Sequence, residues 1–399
     1  MDEPFGGSIE PGFEAVGDAF KTNFEKGRER GAAFCLHVDG RKVVDIYGGY
    51  ADRARSIPYD QDALQLVFSS TKGATAICAN LLEQRGQLDL SAPVANYWPE
   101  FAQAGKENIP VLWLLSHQAG LPVVDRDLSP EEAQAWDPMI EALAAQAPVW
   151  EPGTAHGYHA LTYGYLVGEV VRRITGTSLG TFFAEQVAGP LGLEFWIGLP
   201  EAQEHRVSPI GGGAGSLLPE GSDGPPSGLS FGKTLLGRAL NAARAFSEPG
   251  WMNTVAWHAA EVPAGNGITN ARSLSRLYAA LISPVEGGPP ESFFTPEQVE
   301  RARTQRTSGV DQVFLSVGYP MEQRIGQGFW LANEYAAWGG AGSFGHAGAG
   351  GSYGFADPEN KVAVGYVMNK MGADIAGDPR SHRLVKAVYD SIGAEPKYF

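Results

Sequence analysis

The chain of 399 residues is poor in cysteine, in basic charge and in long apolar runs. It has only two cysteines. Cys35 lies in the run Ala32-Ala33-Phe34-Cys35-Leu36-His37-Val38, and Cys78 on an apolar helix face. Both read as small buried packing residues, the commoner role of such cysteines. Lysine and arginine number 30 against 45 aspartates and glutamates, a formal net charge of −15. That balance argues against nucleic acid or an anionic membrane as partner. No apolar stretch is long enough to span a bilayer, and Met1-Asp2-Glu3-Pro4-Phe5-Gly6-Gly7 has neither a basic nor an apolar leader segment. The expectation is a cytoplasmic protein. Internal repeats are also missing. What is present, 43% hydrophobic and 19% charged residues, suits a globular enzyme with a large core, in two lobes.

The most informative stretch is Ser69-Ser70-Thr71-Lys72, which opens a helix after the strand-like run Leu64–Phe68. Residues three apart share a helix face, so an amine comes within reach of a hydroxyl too weakly acidic to attack by itself. The helix start adds backbone N–H groups and partial positive charge where an oxyanion develops. Ser-x-x-Lys is common, about one or two per chain of this length by chance. A second copy, Ser230-Phe231-Gly232-Lys233, follows a Gly/Pro/Ser loop and serves as a control. Behind Lys72, by contrast, Ala74, Ile77, Cys78, Leu81 and Leu82 recur at helical spacing and Gly86 supplies a stop. The competing reading makes Ser69 an N-cap and Lys72 a solvated first-turn residue.

The remaining pattern predicts a helix over 12–30, a hairpin of Ala32–Val38 and Lys42–Tyr47, and mostly helix from 69 to about 175, including 109–116 and 161–174. Residues 199–265 read as a Gly/Pro-rich insertion over a site, with a helix at 235–245. Strand-like runs return at 312–317, 326–331, 351–356 and 362–368, and a helix over 380–392 closes the chain. The expected fold is α/β, of α+β type: an antiparallel sheet flanked by helices, built from residues 1–68 and 266–399, with a mainly helical domain, 69–265, inserted.

Two further motifs complete a set. Trp150-Glu151-Pro152-Gly153 precedes Tyr158-His159-Ala160, and His346-Ala347-Gly348 leads into Ala349-Gly350-Gly351-Ser352. With Ser69-x-x-Lys72 and the stretch Leu114 to Pro122, their order resembles the serine β-lactamase and penicillin-binding-protein superfamily, most of all family VIII carboxylesterases and class C β-lactamases. The resemblance implies Ser69 as nucleophile, Lys72 as its partner base and Tyr158 as the second-motif tyrosine. It places His346-Ala347-Gly348 at the family's Lys-Thr-Gly strand, with Gly348 and His346 toward substrate and the backbone N–H groups of Ser69 and Ala349 as oxyanion hole. Trp330 and Phe344 flank that strand as candidate walls of an acyl pocket. Lysine and tyrosine titrate near ~10.4 and ~10 when free, so a desolvated cleft must make one of them a base. Placed together they titrate as a pair, which leaves the sole base unassigned.

Departures from the family pattern bear on substrate. Ala160 stands where β-lactamases carry an amide-gripping asparagine, and no Tyr-x-Asn occurs anywhere. His346 replaces the lysine that holds the β-lactam carboxylate. These losses favour small neutral esters, with weak or no β-lactam hydrolysis. A β-lactamase or D-Ala-D-Ala peptidase, and a non-catalytic penicillin-binding-like scaffold, are the rivals; the scaffold has no need of Ser69, Lys72 and Tyr158. Gly350-Gly351-Ser352-Tyr353-Gly354 matches a Gly-x-Ser-x-Gly elbow, but too little chain follows for that fold's acid and histidine. His156 and His159 are at metal-ligand spacing without a completing acid or cysteine, so no metal and no cofactor is expected. The sequence leaves the oligomeric state open, a homo-oligomer included.

Overall fold

A computed structural model describes residues 3–212, 233–241, 250–334, 336, 338–372 and 378–397. Its centre is a seven-stranded sheet drawn from both ends of the chain. The strands are β1 (Phe5–Ile9), β2 (Gly31–Val38), β3 (Arg41–Gly49), β4 (Trp330–Leu331), β5 (Phe344–Ala347), β6 (Tyr353–Asp357) and β7 (Val362–Met368). Their order across the sheet is β1-β3-β2-β7-β6-β5-β4, and every pairing is antiparallel. Side chains alternate between faces along each strand. Phe34 and Leu36 accordingly join one core and Cys35 the other.

Two helices, α1 (Glu14–Glu25) and α5 (Pro379–Ile392), cover the first face. Phe20 and Phe24 of α1 meet edge-to-face at 5.2 Å, and Phe24 reaches Phe5 of β1 at 5.1 Å. The opposite face carries α4 (Ala271–Ile282), whose start is capped by the Asn270 side chain accepting the Ser273 N–H at 2.8 Å. Beyond α4 the chain is mainly helical, with α2 (Thr71–Gln84) and α3 (Thr162–Thr175) in contact. All residues of α2 from Thr71 to Leu82 are buried, so the helix has no solvent face over that length. Such surroundings fix its first turn from every side.

Several expectations shift. Residues 312–317, rich in β-formers and read as a strand, form the short helix Gln312–Leu315, because the Asp311 carboxylate accepts the N–H groups of Val313 and Phe314 at 2.8 and 3.0 Å. The run 326–331 is paired only at β4. The helix read over 235–245 is seen at Leu235–Leu240; residues 242–245, like Ser230 of the control motif, lie outside the described residues. Both cysteines are buried and free.

Candidate active site

Ser69 sits in a single 3-10 turn, Phe68–Ser70, that runs directly into α2. Before it, Leu66 of the short strand Gln65–Leu66 pairs with Ile268. Phe68 adopts φ +45°, a conformation bulky residues rarely hold and one that must be imposed by the surroundings. The Thr71 hydroxyl supplies part of that constraint: it donates to the Phe68 carbonyl and accepts the Gly267 N–H at 2.8 Å. Ser69 itself is only partly buried, whereas Lys72, one turn later, is fully buried.

The Lys72 amine has three neighbours. It donates to the carbonyls of Ala160 and Ala264, at 2.7 and 2.9 Å, and lies 3.0 Å from Ser69 Oγ. Burial drives its pKa well below that of free lysine. A neutral amine has two N–H donors and one lone pair. With the two carbonyls taking those donors, the deprotonated amine would turn its lone pair to the serine hydroxyl 3.0 Å away.

Tyr158 lies across the amine, whose nitrogen is 4.7 Å from the ring centroid. Burial raises the phenol's pKa, against a smaller opposing effect of its hydrogen bond to Ser69. Phe314 stacks on its ring at 5.7 Å and Trp330 meets it edge-on at 5.8 Å. Burial thus moves the two partners in opposite directions, amine down and phenol up, and so favours the neutral form of each.

His346 on β5 is fully buried, 6.4 Å from Tyr158 and 4.5 Å from Trp330, ring to ring. Its Nδ1 donates to the Ala347 carbonyl at 2.7 Å, which leaves Nε2 as a lone pair with no partner among the described residues. Burial, with Lys72 nearby, holds its pKa well below the ordinary imidazole value. Next along the strand, a Cβ at Gly348 would stand 2.1 Å from the Val67 carbonyl oxygen and 2.3 Å from Ser352 Oγ. Only glycine lets the strand end lie this close to the serine turn. Ser352 is buried there too, donating to the Val67 carbonyl at 2.8 Å and lying 3.2 Å from Ser70 Oγ. Its hydroxyl is tied to the frame of the turn.

Ser69, Lys72, Tyr158, His346 and Trp330 therefore converge, with Gly348 and Ala349 at the adjoining strand end. Phe344 is not brought into that group: it is fully buried and packs edge-to-face on Phe329 at 5.2 Å, behind the strand. His159 is a satisfied loop histidine, donating from Nδ1 to the Gly157 carbonyl at 2.6 Å and accepting the Leu121 N–H at 2.9 Å on Nε2. Its pKa is held down to about 3 by burial. Both nitrogens being used, it is no metal ligand, and no group of three metal-type side chains occurs among the described residues.

Two neighbours escaped single-residue reasoning. His117, at φ +60°, packs its ring 5.3 Å from Tyr158 and accepts the His159 N–H at 3.1 Å. Asp311, buried and raised by that burial to about 7, caps the helix that presents Phe314 to Tyr158. An aspartate just before an apolar run was the available signal.

Comparison with known proteins bears on the family and the fold. The chain is 34% identical over 374 residues to the esterase/beta-lactamase LipL of Mycobacterium tuberculosis, covering 92% of this chain and 83% of LipL. A family VIII carboxylesterase of known structure superposes with a TM-score of 0.86 at 37% identity, over 97% of this chain and 100% of that one. EstA from Arthrobacter nitroguajacolicus Rue61a gives 0.84 at 33% identity, over 98% and 99%. The expected β-lactamase/transpeptidase-like fold is borne out by these neighbours. With the Beta-lactamase family model matching residues 16–387, the chain belongs to that family of serine hydrolases.

Proposed function

We propose that this protein is a serine carboxylesterase that cleaves short-chain carboxylic esters through an acyl-Ser69 intermediate. The observation that carries the reading is the buried Lys72 amine, held by the Ala160 and Ala264 carbonyls and 3.0 Å from the Ser69 hydroxyl. Ser69 Oγ attacks the ester carbonyl and its proton passes to Lys72. The developing oxyanion is met by the N–H groups of Ser69 and Ala349. Neutral Tyr158 protonates the departing alkoxide and is recharged from the Lys72 ammonium. Water then attacks the acyl carbon, Lys72 takes its proton, and Ser69 leaves with a proton from the same pair.

Substrate choice follows from charge. His346, neutral and fully buried, offers no cation to a β-lactam carboxylate, and Ala160 contributes a methyl group where an amide grip is needed. A small neutral ester asks for neither. Likeness to a family VIII carboxylesterase structure supports an ester as substrate. The test compares a p-nitrophenyl acyl-ester series with nitrocefin, using wild type and Ser69→Ala. Esters turned over faster than nitrocefin, and lost in Ser69→Ala, are expected. Faster nitrocefin turnover overturns the substrate class; ester activity retained in Ser69→Ala but lost in Ser352→Ala overturns the site.

A further inference from the structure

The Ala349–Gly351 turn is held by a residue that the chemistry above does not use. Gly350, at φ +84°, turns its carbonyl inward, where it accepts from Arg380 Nη2 and from the Gly372 N–H, the latter at 2.8 Å. The rest of the turn is pinned by two further bonds: Gly348 N–H to the Ser352 carbonyl at 2.7 Å, and Gly351 N–H to the Gly348 carbonyl at 3.1 Å. In a trans peptide C=O and N–H point in opposite directions. Because the Gly348 carbonyl faces Gly351, the Ala349 N–H faces out of the turn. Ala349 is exposed while Gly350 is buried. The Arg380 contact thus sits two peptides beyond the donor, on the same turn.

Arg380, at the start of α5, is 2% exposed. It pairs with Asp378 at 2.6 Å and Glu29 at 3.2 Å, and Nη1 donates to the Lys370 carbonyl at 2.8 Å. Tyr366 donates to the other Glu29 oxygen. A buried ion-pair cluster adds little net stability over apolar packing. Its use is geometric, since a guanidinium presents several donors in one rigid plane. Here that plane links the C-terminal helix, the connection from α1 to β2 at Glu29 and the turn after β5. A Cβ at Gly351 would stand 2.5 Å from Arg380 Nη2, so the turn and the guanidinium are in close contact.

We propose that Arg380 is a positioning residue for the oxyanion hole: by fixing the Gly350 carbonyl it aims the Ala349 N–H at the acyl carbonyl oxygen. The inference rests on the acyl-Ser69 reading. The experiment treats wild type, Arg380→Lys and Tyr366→Phe with ¹³C-carbonyl p-nitrophenyl N-methylcarbamate. Ser69 Oγ bonds to the carbamoyl carbon, p-nitrophenolate leaves, and the serine proton goes to Lys72. The stretch of the trapped carbonyl, read by infrared difference spectroscopy, reports the hole's hydrogen bonds. Arg380→Lys keeps the charge but loses the fork; its band moves to higher wavenumber. For p-nitrophenyl butyrate its kcat falls by about 10- to 100-fold, as for a misaimed rather than deleted donor, with KM within about threefold. Tyr366→Phe perturbs the same ion cluster away from Gly350 and leaves the band in place. An unmoved band in Arg380→Lys, or an equal shift in both variants, overturns the proposal. Should Arg380→Lys not fold, Gly372→Ala reads the same contact, because its methyl would lie 2.8 Å from Asp378 Oδ2 and 2.9 Å from Arg380 Nη2 and displace that ion pair; an unmoved band there is equally fatal. If wild type takes no carbamoyl group, or Ser69→Ala still takes one, the acyl-Ser69 reading itself falls, which is a different result from an unmoved band.

Discussion

Replacing Lys72 by methionine tests the base directly, and through stability rather than rate. Free lysine titrates near ~10.4, while burial pulls folded Lys72 well below its ordinary value. Between those two pKa values the unfolded chain binds a proton that the folded chain does not. Stability then rises with pH, by about 1.4 kcal/mol per unit for one proton, and levels off near pH 10. Methionine removes this titration and keeps most of the side-chain volume. It also orphans the Ala160 and Ala264 carbonyls, at roughly 1–3 kcal/mol each. That cost does not titrate, so it sets the offset between the two proteins and not its slope. Urea unfolding of wild type and Lys72→Met at pH 7, 8 and 9, followed by tryptophan fluorescence, gives the difference at each pH. Wild type should gain stability on the variant as pH rises from 7 to 9, by up to about 1.4 kcal/mol per unit over the interval above the folded pKa. A difference independent of pH would mean that folded Lys72 keeps its proton throughout, and the base assignment would be refuted.

Tyr158→Phe should lower kcat by about 10²- to 10⁴-fold on p-nitrophenyl esters while the melting temperature stays near wild type, because Phe314 and Trp330 pack on the ring and not on the hydroxyl. Ser352→Ala should cost about 1–2 kcal/mol in urea unfolding, through its buried bond to the Val67 carbonyl, and retain most esterase activity. Gly348→Ala should be worse on both counts, since its methyl group would stand 2.1 Å from a backbone oxygen that has little freedom to move; an active, stable variant would show that the strand end is looser than drawn.

Most of the frame was legible because it obeys simple periods. The Asp39-Gly40 hairpin is present as β2 and β3, and the amphipathic runs before Gly176 and Gly393 are α3 and α5. β1 was not read, for Phe5-Gly6-Gly7-Ser8-Ile9 has no alternation and is held by backbone pairing to β3 at the sheet edge. The 312–317 run misled because side-chain preference pointed to strand while one capping aspartate decided for helix. At the site, Ser69 and Lys72 could be found from local spacing alone. What local spacing does not contain is the set of long-range groups that act on them: the Ala160 and Ala264 carbonyls, the His117 ring and the Arg380 guanidinium. Backbone carbonyls in particular have no sequence signature, yet two of them hold the Lys72 amine in place beside Ser69.

On the proposed function, the burial that favours a neutral Lys72 also narrows the substrate. Lys72, Tyr158, His117, His159 and His346 are packed within one another's reach, and burial favours the uncharged form of each. A carboxylate on the substrate would enter a place with no standing cation to receive it, and its own desolvation would go uncompensated. It would approach, moreover, through the field of a chain carrying a formal −15. An ester brings no charge to desolvate. The only charge it develops is the oxyanion, which forms after binding and meets backbone N–H groups already in place. Discrimination against anionic acyl donors therefore requires no dedicated repulsive residue. On the proposed mechanism it follows from keeping the Lys72 amine dry enough to favour its neutral form, and a variant that wets the site to admit a carboxylate should lose nucleophile activation in the same step.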